Sequence, residues 1–289
     1  MPAHPQPGGI VRAAAHHGPM RVGIVGLGWV GASVAISTLH RGVARELWLD
    51  DVREGLAAAE AADLSHGASF YPPCDVVPAS VESMADACDA IVIAAGKGAM
   101  HGASRLDSLS VTAAIARDLG RRLCAARGVV VVLTNPVDVM TQLVAEASGL
   151  PPARVIGSGT MLDTARLRHE LSERLRVDER HIHAHVLGEH GDSQVVAWSS
   201  ATVGGTPLRA VPGFPAAEEA ELASTVRTAA YRIIAGKGAT NHAIGLVTAT
   251  LLQSVLRDER RVLTVARVHD DPATGALLGE GPVALSLPT

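Results

Sequence analysis

Aromatic side chains are nearly missing from this chain: two Phe, two Tyr and three Trp among 289 residues. Bases of single-stranded nucleic acid stack on such rings, so a stacking platform is excluded on composition. Charge of one sign is lacking as well. The 25 Lys and Arg against 29 Asp and Glu leave a formal net charge of −4, and no dense basic block supplies an electrostatic footprint for a polyanion. Long apolar runs are also absent. The longest stretch of Val, Leu and Ile alone is 129–133, and with Ala counted it is 90–95, both far short of the roughly 20 residues that cross a bilayer. The three cysteines, Cys74, Cys88 and Cys124, are odd in number and widely spaced. That pattern fits reduced thiols in a cytoplasmic protein, and neither a disulfide framework nor a zinc site.

What remains is an apolar fraction of 47%, enough for a large core, with too few charges at 19% for a disordered chain. The length suits two domains or one large α/β unit at about 100–200 residues per domain. Residues 1–19 are rich in Pro, Gly, His and Ala and carry no apolar signal-peptide core. They are expected to be a disordered leader, with Met20 directly before the first strand.

From 20 to 152, apolar runs alternate with helical stretches. Strands are expected at 22–25, 46–50, 76–78, 90–95 and 129–133, and helices up to about 41, at 53–64, up to about 127, and at 137–148. Continuous apolar runs such as 90–95 are typical of strands covered on both faces, and strand–helix alternation indicates a doubly wound parallel sheet. After Pro151-Pro152 the pattern changes. A long helix over about 160–175 leads to strands at 181–187 and 195–203, expected to pair as an antiparallel ribbon. Helices at about 216–235 and 239–256 and strands near 262–268 and 283–287 complete an α+β region.

Two constellations carry chemistry. Gly26-Leu27-Gly28-Trp29-Val30-Gly31 follows a strand and opens a helix, and Asp51 lies twenty residues beyond Gly31. This is the dinucleotide-binding arrangement. Gly26 permits the tight turn, Gly28 lets the backbone approach a pyrophosphate, and Gly31 allows the helix to pack closely. The Asp51 carboxylate can take both ribose hydroxyls, which favours NAD, and Asp50 beside it adds charge against a 2′-phosphate. The second constellation is Asp163 and Arg166, three apart on one helical face, with His190 inside Gly188-Glu189-His190-Gly191-Asp192. An Asp beside a His orients the ring and stabilises its protonated form as a general acid. The Arg can grip a carboxylate through two hydrogen bonds. The same residues are also compatible with a helical surface ion pair and a turn histidine.

The strings GLGWVG, DVREGLAAAEAADLSHG, RLD, TNPVDVMTQ, VIGSGTMLDTARLR, HAHVLGEHGDS, VGGTPL and GKGATNHAIG resemble the L-lactate/malate dehydrogenase family, bacterial lactate dehydrogenases above all. The likeness runs from Met20 to the C-terminus in family order. It implies a Rossmann-type α/β fold, with an NAD-binding domain at 20–152 and a smaller α+β substrate domain at 153–289, usually assembled as a homotetramer or dimer. It implies an NAD-dependent L-2-hydroxy-acid dehydrogenase, with pyruvate and L-lactate as the expected pair. Carried over by motif, His190 donates and accepts the proton with Asp163 as its partner, and Arg166 holds the substrate carboxylate. Arg105 polarises the carbonyl, while Asn135 lies against both substrate and nicotinamide. Thr240 lines the pocket, and Val30 and Gly96 join the cofactor site.

Three features depart from the family. Counting back from Arg105, Ala99 stands where lactate enzymes carry Gln and malate enzymes carry Arg. A small apolar residue cannot neutralise a second carboxylate, which disfavours malate and leaves room for longer 2-hydroxy acids. Lys97 and His101 are the cations that loop could offer instead. The chain also stops at Thr289, before a strand and long helix that the family normally adds, which keeps a non-catalytic nucleotide-binding relic as the alternative. Finally, Arg168 and His183 match the basic pair that binds fructose 1,6-bisphosphate at a subunit interface in activated bacterial members. His181, His183 and His185 alternate along one strand, but no Cys or carboxylate nearby completes a metal site. A serine-hydrolase triad using Ser158 or Ser193 lacks the nucleophile elbow GxSxG.

Overall fold

The computed structural model describes residues 20–97, 105–214, 216–270 and 281–289, with only the backbone of 105–108. The leader expected at 1–19, together with Ala99 and His101, lies outside these residues.

Along the first half, β1 (Arg21–Val25), α1 (Trp29–Arg41), β2 (Glu46–Asp50), α2 (Leu56–His66), β3 (Asp75–Pro78), α3 (Val81–Ala87), β4 (Ala90–Ile93), α4 (Arg105–Arg122), β5 (Val129–Val132), α5 (Val137–Ser148) and β6 (Val155–Gly157) follow one another. The six strands are parallel, in the order β6-β5-β4-β1-β2-β3. This is the Rossmann order, with its switch point between β1 and β4. Neither α3 nor β6 is expected from the sequence pattern. Ser80 caps α3, its hydroxyl accepting the Ser83 N–H at 3.2 Å, and the seven-residue helix buries Val81, Met84 and Ala85. Such a short apolar set gives little periodicity to read.

Both faces of this sheet are covered, and the strands show it residue by residue. Val22, Ile24, Ala90, Val92 and Val131 join one apolar cluster with Val34 and Leu39 of α1 and Ala61 of α2. Their neighbours Val25, Ile91, Ile93, Val130 and Val132 face the other way, onto Met84, Leu119, Met140 and Val144 of α3, α4 and α5. Side chains alternate across a strand, so a strand buried on both sides must be apolar throughout. That is the physical origin of the runs at 90–95 and 129–133.

The second half contains α6 (Met161–Leu175), the short strands β7 (Ile182–His183), β8 (Val186–Leu187), β9 (Val195–Val196), β10 (Thr202–Val203) and β11 (Thr206–Pro207), then α7 (Glu219–Lys237), α8 (His242–Leu256), β12 (Thr264–His269) and β13 (Val283–Pro288). The ribbon expected from 181–187 and 195–203 is divided. β8 pairs antiparallel with β9, and β7 with β10, separated by a 3-10 turn at Trp198–Ser200. Leu167, Leu171, Ile182, Val186, Leu222 and Val226 form a separate small core between α6, α7 and these strands. β12 and β13 do not join that layer. They extend the large sheet beyond β6, each antiparallel to its neighbour. Ser286 of β13 exchanges backbone hydrogen bonds with Gly188 at 2.9 Å in both directions, and its hydroxyl accepts the Thr160 N–H at 3.1 Å. The sheet therefore anchors the turn that carries His190.

Candidate active site

The carboxyl ends of β1 and β4 meet at the switch point. Gly26 has φ +94°, and a Cβ there would lie 2.5 Å from the Ala95 backbone nitrogen. Gly31 has even less room, since its Cβ would fall 1.9 Å from the Gly26 carbonyl oxygen. Helix α1 thus rests directly on the turn. Gly28 caps that helix without any side-chain hydrogen bond, and its missing Cβ faces open space. The first N–H groups of a helix have no internal partners. Here no side chain caps them, and the approach over Gly28 is unobstructed. These residues fit the pyrophosphate of a dinucleotide. Gly96 closes the opposite lip, pressed against the Thr134 methyl. Asn135 follows, exposed, at a cis bond to Pro136.

Asp51 stands at the tip of β2 with its side chain only 7% exposed. Its Oδ2 accepts the Leu27 N–H at 2.7 Å, and Oδ1 accepts the Arg53 backbone N–H at 2.9 Å and Nε at 3.0 Å. Burial pushes this carboxyl up, but hydrogen bonds from Arg53 and Leu27 outweigh it and hold the pKa below the usual value. Asp50, expected to add charge beside Asp51, is half-buried at the end of β2. Burial raises its pKa, and the Arg122 guanidinium of α4 lies within electrostatic reach.

The second constellation comes together on the other side of the β6–α6 turn. Asp163, 3% exposed at its side chain, sits between two partners. Its Oδ2 accepts His190 Nδ1 at 2.5 Å and its Oδ1 accepts Arg166 Nη1 at 2.9 Å. Nδ1 is thereby committed, which leaves Nε2 as the ring's exchangeable position. Burial opposes charging His190, and Arg166 repels it. The hydrogen bond and charge of Asp163, helped by Asp138, outweigh both and raise the ring's pKa.

Asp138 carries no signal in the spacing of the motifs and is missed by sequence reasoning. Its Oδ2 accepts the His190 backbone N–H at 2.7 Å, while Oδ1 is buried without a partner among the described residues. Burial lifts its pKa to about 6 against the pull of the His190 N–H and ring. Its place in TNPVDVM, just inside α5, is the one available hint. Arg105 opens α4, and only its backbone is described. Thr240 lies half-buried in the α7–α8 connection. Its neighbour Asn241 donates its side-chain amide to the Ser33 hydroxyl of α1 at 2.8 Å. The structure does not bring Thr240 into hydrogen bonding with the His190 cluster among the described residues. Arg168 donates Nε to the Ala184 carbonyl at 3.2 Å, and both Arg168 and His183 lower the pKa of His185, after the larger effect of burial.

The arrangement offers an uncapped helix start at a sheet switch point, an acid at the tip of the second strand, and an imidazole paired with an Asp next to an Arg. Two family models cover nearly all of the described chain. The lactate/malate dehydrogenase NAD-binding domain matches residues 20–157, and the lactate/malate dehydrogenase α/β C-terminal domain matches 160–277. The chain belongs to the lactate/malate dehydrogenase family. Within that family it is 44% identical to the L-lactate dehydrogenase of Geotalea daltonii, over 85% of this chain and 82% of that one. It is 43% identical to the L-lactate dehydrogenase of Thermus aquaticus, over 93% and 87%. A solved minor L-lactate dehydrogenase from Enterococcus mundtii superposes with a TM-score of 0.86 at 37% identity, covering 93% of this chain and 86% of that chain. The family assignment makes the glycine-turn domain an NAD-binding domain.

Proposed function

We propose that this member of the family is an L-lactate dehydrogenase that interconverts pyruvate and L-lactate. The observation that carries the reading is the His190–Asp163–Arg166 relay, anchored to the sheet that ends in the dinucleotide turn. NADH supplies the hydride when bound, and its oxidised form receives one in the reverse direction. Gly26, Gly28, Val30 and Gly31 would hold its pyrophosphate, Asp51 its ribose, and Gly96 and Asn135 its nicotinamide end.

The chain's own residues handle the proton and the charge. As negative charge develops on the substrate oxygen, His190 gives up its Nε2 proton to it, and Asp163 stabilises the ring while it is charged. Arg166 keeps Nε and Nη2 for the substrate carboxylate after spending Nη1 on Asp163. Arg105 is assigned to polarise the carbonyl, Thr240 to line the pocket, and Ala99 to bound the side-chain subsite. Ala99 carries no charge to pair with a second carboxylate, so oxaloacetate is disfavoured. Loss of NADH absorbance with pyruvate, oxaloacetate and 2-oxoisocaproate tests this. Preferred turnover of pyruvate supports the reading; preferred turnover of 2-oxoisocaproate reassigns the enzyme to longer 2-hydroxy acids, and of oxaloacetate to malate.

Homo-oligomerisation and activation by fructose 1,6-bisphosphate belong to the same proposal. The mutual proximity of Arg168, His183 and His185 supports a basic phosphate site. Activation lost in His183→Ala is the expected result, and a tetramer indifferent to the bisphosphate would remove it. Among the described residues no helix is long and apolar enough to cross a membrane.

A further inference from the structure

A carboxylate at the tip of the second strand rejects a 2′-phosphate because two negative groups would share one pocket. In this chain that charge is already answered. The Arg53 guanidinium donates Nε to Asp51 Oδ1 at 3.0 Å and Nη2 to Asp51 Oδ2 at 3.2 Å. Nη2 also reaches the Leu27 carbonyl, at 3.3 Å, inside the glycine turn. Arg53 is therefore fixed across the ribose end of the cofactor site, not extended into solvent. Its side chain nevertheless remains 60% exposed, and Nη1 has no hydrogen-bond partner among the described residues. The neighbouring acid, Asp50, is half-buried and faces the positive charge of Arg122. Both carboxylates that the sequence sets against a phosphate thus have a guanidinium within reach, and one guanidinium keeps its Nη1 group open.

We infer that Arg53 makes the adenosine end of this site accept a 2′-phosphate, so that the protein binds NADPH as well as NADH. The inference rests on the reading of the Gly26–Gly31 turn and Asp51 as the cofactor site. Asp51 is held by Leu27 and Arg53 in either case. With NADH it serves the ribose hydroxyls. With NADPH the phosphate oxygens meet the two N–H groups of Nη1, since both hydrogens of Nη2 are spent on Asp51 and the Leu27 carbonyl.

The test is direct binding, read by fluorescence titration of NADH and NADPH on the wild-type protein and on Arg53→Ala at low salt. Arg53 is exposed at the surface, so the substitution leaves the core intact. A charge-assisted bond to phosphate in this half-open position corresponds to about tenfold in affinity. The ratio of the NADPH to the NADH dissociation constant is expected to rise at least about fivefold in Arg53→Ala, and to rise with ionic strength in the wild type. A ratio that stays within about twofold on removing Arg53, or wild-type protein that binds NADH and shows no NADPH binding, overturns the inference and leaves the cofactor site standing. Failure of the wild type to bind NADH overturns the cofactor site itself, and the inference with it.

Discussion

Replacing Asp163 with Asn keeps the size of the side chain and removes the acceptor capacity on which the relay depends. Both neighbours of Asp163 present donors: His190 Nδ1–H at 2.5 Å and Arg166 Nη1 at 2.9 Å. An amide has one acceptor oxygen and one NH2 group, so it can satisfy only one of them in this arrangement. Arg166 cannot give up its proton, and the ring must therefore turn Nδ1 into an acceptor, which only the neutral imidazole can do. A hydrogen bond to a charged group contributes about 1.5–3 kcal/mol, equivalent to about 1–2 pH units on the His190 pKa at 1.36 kcal/mol per unit. Pyruvate reduction needs the protonated ring. In the wild type kcat/KM falls as pH rises through a value above the ordinary 6.5, because Asp163 raises this pKa. In Asp163→Asn that descending limb is expected about 1–2 units lower, with kcat/KM at pH 7.5 reduced about 10- to 100-fold. Steady-state rates across pH 5–9 at fixed NADH supply the profile. A limb that stays in place, with a rate within threefold of wild type, would refute the assignment of His190 as the proton donor tuned by Asp163.

Two further substitutions probe the supports of the site. Asp138 has its pKa raised by burial to about 6 from 3.8, so its contribution to stability is fully present below the unfolded value and lost as pH climbs through 6. Asp138→Asn keeps an oxygen for the His190 N–H and avoids that loss, worth about 2–3 kcal/mol. Its melting temperature relative to wild type is therefore expected to improve by several degrees between pH 4 and pH 8, and no improvement would count against an ionised buried Asp138. Gly31→Ala places a methyl 1.9 Å from the Gly26 carbonyl oxygen, a backbone clash expected to cost at least about 1–3 kcal/mol. Calorimetry should show a lower melting temperature together with loss of NADH binding, and retention of both would argue against close packing of α1 on the turn.

Much of the cofactor half is legible in the sequence because its physics is local. The extents of β2 and α5 agree with the sequence reading residue for residue, since each is bounded by clear polar or Pro/Gly signals and has a consistent apolar pattern. The three-residue β6 and the seven-residue α3 escape for the opposite reason: neither is long enough to show a period. The division of the expected ribbon into separate pairs depends on where the chain turns at Trp198–Ser200, which alternation alone does not encode. Long-range hydrogen bonds are equally invisible. Asp138 holds the His190 backbone across 52 residues and Ser286 holds the Gly188 turn. Nothing in the spacing of these residues announces either contact. Asp50 and Arg53 are on view as residue types, but which charge each one meets emerges only once α4 and the β2 tip are in place.

The most direct test of the central claim is the turnover of pyruvate by wild-type protein and by His190→Asn, measured alongside NADH binding to both. Asn retains the backbone N–H that bonds Asp138 but cannot deliver a proton. The expected result is NADH-dependent pyruvate reduction in the wild type, lowered about 10²- to 10⁴-fold by the substitution, with NADH still bound. Turnover that survives the loss of His190, or a wild-type protein that binds NADH and leaves pyruvate untouched, would contradict it.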